Sequence, residues 1–104
     1  MAADYYGIVE LGSTLPVTVQ IGADQTPAAP DAAPTYSIYE AGGTEPNANY
    51  DGASMSQVDS KTGLYRGLPT VSSANGFDRG NYFVLIEWEE SSSGRAQKGS
   101  FTVV

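Results

Sequence analysis

The chain has 104 residues, 12 of them acidic and 5 basic, for a formal net charge of −7, with 12 Gly, 6 Pro, no Cys and no His. That length is read as one domain over 1–104, able to bury roughly 60–65% of its unfolded surface without covalent staples, and its acidity repels polyphosphate, which excludes nucleic acid as an expected partner. Lack of Cys removes disulfides and thiolate metal centres, and lack of His removes imidazole bases, Ser-His-Asp arrangements and most zinc sites, so no cofactor is expected.

The N-terminus, Met1 to Ile8, has neither a basic region nor a long apolar stretch, so it does not read as a secretory signal. The longest strongly apolar run, Tyr82 to Ile86, is too short to span a bilayer, and no membrane partner is expected. No Asn-x-Ser/Thr acceptor occurs. The stretch Tyr6-Gly7-Ile8-Val9-Glu10 is a short β-like run, separated by Gly12-Ser13-Thr14 from Leu15 to Ile21. There Leu15, Val17, Val19 and Ile21 alternate with Pro16, Thr18 and Gln20, the pattern of a half-buried strand.

Residues 22–34 hold Pro27, Pro30 and Pro34, which block helix and ladder alike, so the segment is expected to be a loop. It is either a plain connection between sheets or a contact arm. Tyr36 to Glu40 alternates again, with Tyr36 and Ile38 on one face and Ser37 and Tyr39 on the other, until Gly42-Gly43 breaks it. Asn47 to Gly52 is a loop ending in Asp-Gly, a favourable turn pair. A mostly polar strand is expected over 53–58, another over 64–68 with a weak extension through Val71, and a return loop over 72–76. Tyr82 to Glu90 is the strongest strand, with Tyr82, Val84, Ile86 and Trp88 on one face, and Ser91 to Gly94 closes a hairpin into a last strand over 97–104. No window shows apolar residues at helical spacing. The sum is an all-β chain of about seven strands, folded as one antiparallel two-sheet sandwich.

Carboxylates are the only catalytic residue type in quantity. Glu87 and Glu89 share a strand face about 7 Å apart by the strand rise, a separation a glycosidase could use; the plainer reading is a solvated face beside a serine-rich turn. Asp24, Asp31, Asp51 and Asp59 lie in loops without the spacing of a calcium site. Tyr5, Tyr6 and Tyr50 are the tyrosines assigned to no core face, and they suit a partner contact or a sugar platform.

Asp78-Arg79-Gly80-Asn81-Tyr82 leading into an apolar strand resembles the tyrosine corner of immunoglobulin-like sandwiches, with Asp78, Gly80 and Tyr82 as the structural corner. The resemblance implies that the Tyr82 hydroxyl bonds upstream backbone. Val84 stands where such domains carry the second core Cys, and Tyr36 or Tyr39 stands where they carry a Trp. Tyr6 to Leu11-Gly12, Pro34 to Tyr39, Thr62 to Tyr65, Gly76 to Tyr82 and Ser100 to Val104 resemble immunoglobulin-like proteins of tailed-phage virions, including those that decorate capsids.

That resemblance implies, for a chain taken as a whole gene product, a non-enzymatic virion protein assembled from the host cytoplasm. The first expectation is a capsid decoration or head-surface protein, with the major capsid protein or another virion protein as partner and a homo-oligomer as a further candidate. Docking is expected through an N-terminal arm over 1–6 or through the loop with Pro27 and Pro30. The second expectation is a carbohydrate-binding or adsorption module of a tail or baseplate, taking a surface glycan through Tyr5, Tyr6 and Tyr50. Third stands a glycosidase built on Glu87 and Glu89.

Overall fold

The computed structural model describes residues 4–23 and 26–104. In chain order its strands are β1 (Asp4–Val9), β2 (Val17–Gln20), β3 (Gly22–Ala23), β4 (Thr26–Pro27), β5 (Thr35–Glu40), β6 (Ala53–Ser54), β7 (Ser56–Gln57), β8 (Leu64–Gly67), β9 (Gly80–Glu90) and β10 (Ser93–Val103). They form a five-stranded sheet in the order β1-β10-β9-β5-β6, a three-stranded sheet in the order β2-β8-β7, and a small β3-β4 ribbon. Every described pairing between these strands is antiparallel except β1 with β10, which is parallel and corrects the expectation of a wholly antiparallel sandwich. Among the described residues the only helical segment is one 3-10 turn, Ser73–Asn75. The fold is all-β and sandwich-like.

Alternation in the sequence decides which faces meet. In β2, Val17 and Val19 are buried while Thr18 and Gln20 are exposed. Across the gap, β5 contributes Tyr36 and Ile38, β9 contributes Tyr82, Val84 and Ile86, and β10 contributes Phe101 and Val103. With Val9, Leu15, Ile21, Met55, Val71 and Phe77 these make one core. Each such side chain stabilises by about 1.5–3 kcal/mol when buried, so two facing sheets hold without disulfides. Tyr82 sits centrally in an aromatic run, edge-on to Phe77 at 5.1 Å between centroids and stacked on Phe101 at 5.4 Å.

Three expectations about strands are corrected. The polar stretch over 53–58 is two strands, because β6 pairs with β5 in one sheet and β7 pairs with β8 in the other. Met55 is the pivot: its side chain is buried, and its N–H reaches the Pro34 carbonyl at 3.0 Å. One apolar residue between exposed serines is enough to bury the crossover point. The loop over 22–34 contains the β3-β4 ribbon, with Pro27 opposite Gly22; a proline is tolerated at so short and peripheral a pairing. Finally, β10 begins at Ser93 and not at 97, since Ser91 and Ser92 both take left-handed backbone, at φ 51° and 64°, and make a two-residue hairpin turn. Such turns match the twist of long antiparallel strands, and β9 and β10 stay in register from Glu90↔Ser93 to Gly80↔Val103.

The Asp78 to Tyr82 segment closes on itself. The Tyr82 hydroxyl accepts the Asp78 N–H at 2.9 Å and donates to the Asp78 carbonyl at 3.1 Å. Gly80 holds φ +147°, a conformation few side chains tolerate, and so starts β9 directly after the bend.

Candidate docking surface

The sequence-predicted contact residues fall on different parts of the molecule. Tyr5 and Tyr6 are neighbours on β1, and Tyr50 lies in the loop on the far side of β5, with β10, β9 and β5 between. Four strand spacings separate the two places, about 19 Å. No common platform forms. Met1 to Ala3 of the expected N-terminal arm lie outside the described residues, as do Asp24 and the side chain of Pro27; Pro30 is half-buried.

Tyr50 is structural. Its ring stacks on Tyr36 at 5.9 Å and tilts against Phe77 at 6.0 Å. Its hydroxyl accepts the Thr70 N–H at 2.8 Å and an Asn75 side-chain N–H at 3.3 Å, and donates to the Thr70 carbonyl at 3.4 Å. Asn75 in turn donates to the Thr70 carbonyl at 2.9 Å, and Asn47 donates to the Asn75 carbonyl at 2.7 Å. Tyr50 therefore knits two loops to the core edge. Sequence reasoning missed this because its partners lie 20 and 25 positions away.

Tyr6 turns inward from β1. Its ring lies against Gly99, where any side chain would collide with it, and its hydroxyl donates to the Thr18 carbonyl at 3.5 Å. This ties the edge of the five-stranded sheet to the edge strand of the other. Tyr5 points outward and is 60% exposed. Between Tyr5 and Ile8 the register slips by one residue, from Tyr5↔Ser100 to Ile8↔Thr102, with Gly7 at φ +100°. That bulge keeps Ile8 on the outer face, 68% exposed and opposite Thr102, two residues before Val104, which is 48% exposed. Tyr5, Ile8 and Val104 thus lie in a row of exposed apolar residues along the outer β1 margin.

Further across the outer face the aromatic residues satisfy one another. Tyr39 and Phe83 stack at 4.8 Å with planes 7° apart, and the Lys98 ammonium lies 4.2 Å from the Phe83 centroid. With Phe83 engaged by both neighbours, this row is a closed ladder.

Glu87 and Glu89 are exposed, each opposite a small residue, Ala96 and Gly94. They flank an open groove of about 550 Å³ whose lining includes Trp88, Arg95, Ala32 and Ala33. Trp88 is half-buried against the core, and its Nε1 donates to Glu90 at 3.4 Å. Asp31 fastens the far wall: its N–H reaches the Glu89 carbonyl at 2.8 Å, and its carboxylate accepts the Ser92 N–H at 2.8 Å. Among the described residues no group of three or more His, Cys, Asp or Glu could hold a metal ion. No protein-family model, curated protein or solved structure matches this chain.

Proposed function

We propose that this chain is an immunoglobulin-like, non-enzymatic adhesion domain that decorates a tailed-phage head, docking through the outer margin of β1. The Tyr82 to Asp78 corner, at the entry to the strongest strand of the sandwich, supports the immunoglobulin-like assignment. One observation carries the docking role: Tyr5, Ile8 and Val104 are exposed apolar residues along the outer β1 margin, while Tyr39 and Phe83 on the same sheet stack on each other. Burying such residues supplies adhesion without chemistry. The acidic remainder, at net −7, then keeps neighbouring particles apart.

Cryo-microscopy of the native particle tests the role. Copies on the shell, with the β1 margin against the lattice, are expected; a shell bare of this protein would sink it. A second reading, a glycan-binding module, draws on the groove beside Glu87 and Glu89, where carboxylates, Trp88 and Arg95 line one open cleft. A glycan array separates the two, with no signal expected under the first reading.

A further inference from the structure

β1 is the outermost strand of its sheet, with β10 on one side. Successive residues of a parallel strand present their N–H and C=O alternately to its two sides. The Val9 carbonyl accepts the Val104 N–H at 2.9 Å, and the Leu11 N–H reaches the Val104 carbonyl at 3.0 Å. Positions 9 and 11 therefore face β10, and positions 8 and 10 face away from it. The Glu10 carbonyl is taken locally by the Ser13 N–H at 3.0 Å. The Ile8 N–H and C=O point off the edge of the sheet, beneath the exposed Ile8 side chain.

Sheet edges are commonly blunted by Lys, Pro or a bulge; β1 has neither Lys nor Pro, and the pairing of β1 with β10 resumes in regular register at Ile8, after its one bulge. Its charges have one sign: Asp4 opens the strand, Glu10 follows it, and no Lys or Arg occurs before Lys61. Pairing two copies of β1 would bring together two acidic margins without a cation, which like-charge repulsion disfavours. The margin disfavours its own copy and suits a strand of opposite charge.

We propose that the free edge of β1 accepts an extended segment of a partner protein as a sixth strand of the sheet, hydrogen-bonded at Ile8. Alternate apolar side chains of that segment cover Tyr5 and Ile8, and the Lys or Arg residues between them complement the acidity of a chain that carries no Lys or Arg before Lys61. Main-chain bonds give such a complex its affinity, and side-chain alternation gives it register. This inference rests on the docking margin assigned above and names how that margin is used.

The probe is a blocked heptapeptide alternating Lys and Val, added to the full isotope-labelled chain. Binding is expected in the millimolar range or tighter, with exchange of the Ile8 amide slowed at least about tenfold and resonance shifts at Tyr5 and Ile8. Methylation of every second peptide nitrogen in one phase abolishes binding, methylation in the other phase spares it, and Glu in place of Lys also abolishes it. If neither methylated peptide differs from the parent, or no β1 amide is protected, strand addition is overturned. Docking of the margin is judged separately: loss of particle decoration by Ile8→Lys keeps that reading alive even if the peptide fails, and full decoration by Ile8→Lys removes both.

Discussion

The Tyr82 hydroxyl grips both backbone groups of Asp78, taking its N–H at 2.9 Å and giving a proton to its carbonyl at 3.1 Å. Ring and hydroxyl thereby do separate jobs: the ring packs between Phe77 and Phe101, and the hydroxyl shapes the bend before β9. Tyr82→Phe keeps the ring and removes only the grip. Asp78 is exposed, so water replaces part of the loss, and a cost of about 1–2 kcal/mol is expected. Urea titration with an unchanged slope and a lower midpoint checks this.

Gly67 leaves room for Tyr36. A Cβ at Gly67 would stand 2.5 Å from the Tyr36 ring, in a buried position opposite Val17. Gly67→Ala is therefore expected to destabilise by about 1–3 kcal/mol through overpacking. In Tyr36→Leu the clash is relieved, so the double variant should be less destabilised than the sum of the singles. A double-mutant cycle giving strict additivity would contradict the contact.

The Tyr36 phenol is pushed up from 10.0 to about 12, first by burial and then by the neighbouring Tyr50. Its ionised form is disfavoured in the fold and not in the unfolded chain, so the folded state holds its proton over a window where the unfolded state has lost it. That contribution to stability is complete below about pH 10 and is lost as pH rises towards about 12. Ultraviolet titration should find one phenol ionising late, absent in Tyr36→Phe, and chemical denaturation should show the matching alkaline decline.

Tyr5 and Tyr50 should part company under substitution. Tyr50→Phe removes the acceptor for the Thr70 N–H and is expected to cost about 1–2 kcal/mol of stability while leaving particle docking unchanged. Tyr5→Ala touches an exposed side chain, so stability should stay within about 0.5 kcal/mol while docking weakens. Thermal unfolding and co-sedimentation with particles, run on both variants, read the two effects independently.

What the sequence made legible was alternation. Leu15 to Ile21, Tyr36 to Glu40 and Tyr82 to Glu90 announce their buried faces because residue type and pleat share a period of two. The corner was legible for another reason: its residues are close in the chain, and the bond from Tyr82 reaches back only four positions. Hidden features depend on distant or generic partners. Serine pairs do not advertise left-handed turns as Asn-Gly does, so the residue pattern signals β10 only from position 97 although the strand starts at Ser93. Met55 reads as one apolar residue in a polar stretch, and only the presence of both sheets makes it a crossing point. On the outer β1 margin, Tyr5 reads as a tyrosine without a core face, whereas Ile8 reads as an ordinary strand residue until the Gly7 bulge puts it outside.

The parallel pairing of β1 with β10 also sets how the domain answers to tension. A pull outward at Asp4 opposed by a pull at Val103 acts along both strands in opposite senses, because parallel neighbours leave their shared ladder from opposite ends. The bonds between β1 and β10 are then loaded together in shear and cannot be opened one after another. A domain fixed to a shell under internal pressure would profit from that geometry. Single-molecule extension from these two positions should show a markedly higher rupture force than extension from Gly80 and Val103, which face each other across the antiparallel β9-β10 ladder and open it like a zip.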